Sequence, residues 1–177
     1  MPSSRFLISS QTLGSSAASV TFSSIPATYT DLVVKISAKS DMSGTGARNT
    51  YVEFNGNTST IYSDTEVLAT WDGSANIALS AAWSGETFLR NRYTTATASP
   101  ANTFNSYELY IPSYTVSQNK PMSVFGVVEQ DSSQIAGIGA HAGLFRSTAA
   151  ISSIKFSPES GNYVTGSSFY LYGLRSS

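Results

Sequence analysis

The sequence predicts an all-β fold, an antiparallel β-sandwich of jelly-roll type with about nine to ten strands. Three observations carry that expectation. Short runs alternate apolar and polar residues with a period of two, Pro, Gly, Asn and Ser punctuate them, and few windows hold a helical period. The chain also closes on Ile151–Leu174, ISSIKFSPESGNYVTGSSFYLYGL, two β-rich runs joined by a polar connection. In its last run Phe169 and Leu171 share one face, and Tyr170, Tyr172 and Leu174 share the other. A strand apolar on one side and aromatic on the other belongs inside a sheet or against a partner subunit, not at a wet edge. Phe169, Tyr170 and Tyr172 are therefore candidate interface residues.

In chain order, Arg5–Ser10 reads as a short strand and Leu13–Ala18 as a small-residue turn. Ser19–Ile25 is a second strand, ended by Pro26, which removes a ladder donor. Leu32–Ala38 alternates most cleanly, with Leu32, Val34, Ile36 and Ala38 inward and Lys35, Ser37 and Lys39 toward water. Ser40–Asn49, with Gly44 and Gly46, is expected to be a loop. Thr50–Asn55 places Val52 and Phe54 inward, and Asn55-Gly56 is a hairpin signal because both residues tolerate positive φ. Ser59–Trp71 and Asn76–Arg90 are read as two strands flanking a turn at Asp72-Gly73, and Asn91–Asn105 as a surface loop. Ser106–Ile111 turns Tyr107, Leu109 and Ile111 to one face. Met122–Gln130, the most continuous apolar run, bounded by Pro121 and Asp131, is expected to be a central strand. Gln134–Phe145 is a Gly-rich strand.

One domain, residues 1–177, accommodates all of this, and a domain of that size buries roughly 70% of its unfolded surface. There is no cysteine, so the core stabilises the fold without disulfides. Charged residues are only 12% of the chain and the net charge is −1, which lacks the basic footprint of a nucleic-acid binder. A weakly charged surface of hydroxyls and amides favours close assembly. No apolar run is long enough for a signal-peptide core or a membrane span, so the expectation is a chain made soluble in the cytoplasm, with no membrane partner.

The inventory for catalysis is thin, and no catalytic residue, metal site or cofactor is expected. His141 is the only histidine and sits in GIGAHAGLF, a strand-like run without the elbow a nucleophile needs, so it reads as structural or interfacial. The glycines of AGIGAHAG depart from the dinucleotide fingerprint and precede no helix. Glu53 and Glu108 lie opposite core positions and read as solvated strand faces, although two carboxylates a few ångströms apart would suffice for a glycosidase. No Cys, His pair or Asp-rich loop offers a zinc or calcium cage. Binding is better represented. Trp71, Trp83, Tyr62 and Tyr93 lie in the irregular middle, and Asn55, Asn57, Tyr62, Trp71 and Asp72 have the residue types of a glycan platform. The competing reading places those rings in the core or a subunit interface.

Three segments carry a family likeness: SSAASVTFSSIPATYTDLVVKISAKS, YVEFNGNTSTIYS and GLFRSTAAISSIKFSPESGNYVTGSSFYLYGL. Phe22, Ile25, Pro26, Tyr29 and Leu32 form an early motif. Phe54, Asn55, Gly56, Tyr62 and Ser63 form a middle one, and Ser168, Phe169, Leu171, Tyr172 and Gly173 a terminal one. In these the chain resembles small β-sandwich structural proteins of tailed bacteriophages. The resemblance implies a virion location and a capsid decoration or head-fibre role. It further implies phage capsid or fibre proteins as partners and a homotrimeric state. The alternative is a receptor-binding tail-fibre tip that recognises a host surface glycan.

Overall fold

The computed structural model describes residues 4–43, 47–71, 75–95, 99–129 and 136–175. Among these there is no helix. Twelve strands follow in order: β1 (Ser4–Thr12), β2 (Val20–Phe22), β3 (Asp31–Ser37), β4 (Ala47–Phe54), β5 (Tyr62–Trp71), β6 (Asn76–Glu86), β7 (Leu89–Thr95), β8 (Ser106–Ile111), β9 (Lys120–Val128), β10 (Ala136–Phe145), β11 (Ile154–Pro158) and β12 (Ser168–Arg175). They form two antiparallel sheets, one of eight strands in the order β1-β12-β3-β8-β9-β10-β5-β6 and one of four in the order β2-β11-β4-β7. The all-β expectation holds, in an arrangement consistent with a β-sandwich.

One core joins the sheets. The eight-stranded sheet contributes Leu32, Val34 and Ile36, then Tyr107, Leu109 and Ile111, then Phe169 and Leu171; the four-stranded sheet contributes Val20, Phe22, Val52, Phe54, Ile154 and Phe156. Each set is the apolar half of an alternating run, so removing that surface from water selects the register, because a one-residue slip would turn every such side chain outward. Rings interlock at the centre. Phe54, Tyr62 and Phe145 lie 5.0–6.3 Å apart, and Phe169 packs on Phe156 and Tyr163 at 5.9 and 5.0 Å. The closing strand β12 lies between β1 and β3, inside the sheet as expected.

Residues of the three sequence motifs make contacts that hold the fold. The ring of Tyr29 lies flat on Gly173, where a Cβ would fall 2.2 Å from Tyr29 Cγ. Tyr114 donates its hydroxyl proton to the Pro26 carbonyl. The Asn55 amide donates to Ala150 O at 2.8 Å and its carbonyl accepts from the Ser152 and Ser153 amides, which ties the β4 end to the loop before β11.

Several elements differ from the sequence reading. Asn55 and Gly56 do adopt positive φ, 55° and 62°, but β4 and β5 do not form a hairpin: β4 pairs with β11 and β7, and β5 joins the other sheet. The expected loop at Ser40–Asn49 gives way to β4 from Ala47, and the expected loop at Asn91–Asn105 contains most of β7. β7 escaped notice because LRNRYTT is a polar sheet edge whose ladder comes from β4 on one side only. Splitting β7 from β6 contributes to the excess over nine to ten strands.

Lys39 does not face water. β3 ends at Ser37, so its alternation stops, and the buried Lys39 ammonium donates to Ser99 O at 3.0 Å and Pro100 O at 2.9 Å. β9 is central, between β8 and β10, and its residues alternate buried and exposed from Lys120 to Val128. Pro121 is tolerated there because it pairs with Leu144 of β10 beyond the last β8 partner, Ser123. The Asp72-Gly73 turn lies outside the described residues.

Candidate interaction face

The eight-stranded sheet has an outer face on which the registers align one row of side chains from edge to edge. Ser10 pairs with Tyr170, Tyr170 with Lys35, Lys35 with Glu108, Glu108 with Phe125, Phe125 with Ala140, Ala140 with Val67 and Val67 with Ser80. The row changes character at β9. Toward β1 it is aromatic and charged; toward β6 it is apolar.

In the apolar half Val67 is 58% exposed, Phe125 56%, Ile138 47% and Val127 37%. Val127 pairs with Ile138, and Ile138 with Ala69, so a second row runs beside the first. Ala69, Ala78 and Ala140 floor a shallow hollow of about 530 Å³ between the larger side chains. These apolar side chains are contiguous across four strands, and an isolated soluble chain seldom leaves such a patch uncovered.

The other half holds a groove of about 430 Å³. Half-buried Tyr170 and Tyr172 wall it on β12, and Phe125 and Val127 wall it on β9. Ser37 and Ser106 lie between them. Lys35 Nζ lies 3.3 Å from Glu108 Oε2, and Arg5 Nη1 lies 3.7 Å from the same oxygen. Arg5 also sits over the Tyr172 ring at 5.7 Å. Exposed ion pairs of this kind contribute roughly 0–1 kcal/mol, so they orient side chains more than they stabilise the fold.

Of the five residues expected to form a glycan platform, three have described side chains, Asn55, Asn57 and Tyr62, and each is engaged within the fold. Tyr62 is fully buried; its hydroxyl accepts from the Phe54 amide at 3.1 Å and donates to Asn57 O at 2.8 Å. Asn55 is committed to the 150–153 loop, and Asn57 Oδ1 accepts from the Ser59 amide at 2.8 Å. Trp71 ends β5 while Tyr62 begins it, which separates their backbones by roughly 30 Å at strand rise. Asp72 and the Trp71 and Tyr93 side chains lie outside the described residues. Of the candidate interface residues, Phe169 is fully buried in this chain's own core, because it alternates inward with Leu171; Tyr170 and Tyr172 face outward.

The charged residues of the middle strands gather on the inner face. His141 Nε2 lies 3.4 Å from Glu66 Oε2, with both side chains 2% exposed, which leaves a substrate no approach. Beside them Asp64 accepts from the Arg90 amide at 3.3 Å, and Arg90 binds Glu86 at 2.9 Å while lying 5.2 Å from the Trp83 ring centre. Burial lifts the Asp64 carboxyl to about 6, against a pull in the other direction from Arg90. The cluster docks β7 on β5. Among the described residues no group of three or more His, Asp or Glu side chains could hold a metal ion, and no helix is long and apolar enough to cross a membrane.

The exposed apolar residues Val67, Phe125, Val127 and Ile138 were missed as a surface. The signal for Phe125, Val127 and Ile138 lay in MSVFGVV and AGIGAHAG, and that for Val67 in TEVLATW, where a second apolar face alternates with the buried one.

No family model matches the chain, and no curated protein matches it. Among solved structures a chain from "Structure of infectious bursal disease virus Gx strain" is 14% identical at a TM-score of 0.15. The alignment covers 99% of this chain and 39% of that one, and at this TM-score it carries no inference of fold or function.

Proposed function

We propose that this chain is a structural protein of a tailed-phage particle, a capsid decoration or head-fibre subunit that binds neighbouring capsid or fibre proteins. It works as a homotrimer and without catalysis, cofactor, nucleic acid or membrane. Its place is the virion. The observation that carries the reading is the apolar half of the outer face, where Val67, Phe125, Val127 and Ile138 stand exposed on a rigid sheet. A particle subunit gains from such a face because burying it against a neighbour supplies roughly 25 cal/mol per Å² without rearranging either fold. The motif residues Tyr29, Asn55 and Gly173 support the same reading through the family resemblance, since each is spent on holding the fold.

The finer fold assignment belongs with this proposal. If the β5–β6 and β9–β10 hairpins are set aside, β1-β12-β3-β8 faces β2-β11-β4-β7. The chain then changes sheet at every step except β4 to β7, which are neighbours. That is the order of an eight-stranded jelly roll, an architecture frequent in viral capsids. The two added hairpins widen one sheet, and β5, β9 and β10 supply the exposed apolar residues.

The test is a double substitution, Val67→Asp with Ile138→Asp, in the recombinant chain. Two charges in the centre of the patch abolish association with particles or with a second copy, while thermal unfolding stays within a few degrees of wild type. Unchanged association in a folded variant refutes the assignment of the face. The alternative, a fibre-tip protein that recognises a host surface glycan, is favoured by a different feature, the groove between Tyr170 and Phe125.

A further inference from the structure

We propose that this groove is a saccharide cleft that takes a pyranose ring of a surface polysaccharide. The inference deepens the glycan-receptor alternative and rests on it only for the source of the sugar.

The cleft follows from residue size on adjacent strands. Ser168 pairs with Ser37 and Ser106 with Val127, and Ser37 and Ser106, each next to the last β3–β8 pair Ile36–Tyr107, both line the groove. Between the walls these two positions carry only hydroxymethyl groups, so the sheet itself is the floor. One register step along, Tyr170, Lys35, Glu108 and Phe125 are all long. The β12 and β9 backbones are three strand spacings apart, about 14 Å. The result is a trough with Tyr170 and Phe125 as its walls, the Lys35–Glu108 ion pair on the line between them, and the Ser37 and Ser106 hydroxyls on the floor beside that pair. Its volume of about 430 Å³ falls within the range of ligand pockets, roughly 300–1,000 Å³.

A pyranose presents the matching two-sided chemistry. Its C–H face stacks on a ring, and Tyr170 is half-buried and lines the groove, whereas Tyr172 carries Arg5 over its ring. Its hydroxyls need donors and acceptors together. Lys35 donates and Glu108 accepts, and the 3.3 Å pair keeps both aimed at the cleft before any ligand arrives. The Ser37 and Ser106 hydroxyls serve either role. A purely apolar occupant would leave this pair and both serines unmatched. A nucleic acid would bring its phosphates against the Glu108 carboxylate, with Lys35 and Arg5 already paired to it.

The cleft meets the apolar half only at Phe125 and Val127, so the two functions can be separated. The experiment uses the full chain and a panel of methyl glucoside, N-acetylglucosamine, rhamnose and sialyllactose, read by saturation-transfer NMR and titration. Wild type is expected to bind at least one member. Tyr170→Ala is expected to weaken it at least tenfold, and Ser37→Trp, which fills the floor, to abolish it, both with wild-type thermal unfolding. No binding by wild type across the panel overturns the cleft, as does undiminished binding by both variants. Competition of the free protein with particle adsorption to host cells tells the two readings apart. If competition persists in Tyr170→Ala, the cleft is overturned while the receptor reading stands; if it is lost with saccharide binding, the cleft is supported.

Discussion

Replacing Lys120 with methionine tests how the loops at one end of the fold are held. Lys120 is completely buried, yet its ammonium donates to carbonyls of two separate loops: Val116 at 2.7 Å and Gln118 on one side, Ser147 and Thr148, each at 3.4 Å, on the other. It does the work of a bound cation, bridging the β8–β9 and β10–β11 connections. Methionine keeps the length of the stem and removes the charge. Hydrogen bonds to a charged group contribute roughly 1.5–3 kcal/mol each, and the two close ones set the scale at about 3–6 kcal/mol. Methionine avoids the cost of burying an ammonium, so the expected net loss is at the low end, about 3 kcal/mol. For a domain of this size that lowers Tm by about 6–12 °C. Lys155→Met is the control: Lys155 reaches Glu53 at 3.0 Å but is 41% exposed, and its loss should cost under about 1 kcal/mol. Urea and thermal unfolding followed by circular dichroism measure both. A Lys120→Met loss no larger than that of Lys155→Met would refute the carbonyl cage.

Two further predictions concern other buried groups. The Asp64 carboxyl, held up to about 6 against 3.8 unfolded, binds its proton more tightly in the folded chain. Its contribution to stability therefore grows as pH falls from about 6 to about 4, and above that window the charged form costs about 3 kcal/mol. Asp64→Asn should raise stability at pH 8 and remove this gain on acidification, measured as the difference between wild-type and variant denaturation curves from pH 4 to 8; parallel curves would contradict it. Gly173→Ala drives a methyl into the Tyr29 ring, which Arg175 and Phe6 flank at 5.2 and 5.9 Å, and should cost about 1–3 kcal/mol. Adding Tyr29→Ala should restore much of that loss in a double-mutant cycle, and strict additivity would show that the two do not touch.

The elements most legible in the sequence were those with one wet face. β3 and β8 alternate because one side is core and the other water, and their inward residues Leu32, Val34, Ile36, Tyr107, Leu109 and Ile111 are buried as read. β12 was legible for the opposite reason, since Phe169 and Leu171 announce a core while Tyr170 and Tyr172 announce an outward aromatic face. Legibility failed where pairing depends on distant segments. Asn55-Gly56 is a turn by local chemistry, but whether a turn joins paired strands is decided by the ladder that β11 offers β4. The site was harder still. Tyr62 and Trp71 are nine positions apart on one strand, and residue type alone does not reveal that one is buried at the core and the other ends the strand. The outer face was hidden because Phe125 and Val127 sit in a continuous apolar run, and such a run does not announce which of its two faces the second sheet covers.

The central claim is best tested by imaging purified particles that carry this chain at residue resolution. Many symmetric copies are expected on the head, with Val67, Phe125 and Ile138 covered by a neighbouring subunit. A few copies at the tail end, with those side chains facing solvent, would contradict it.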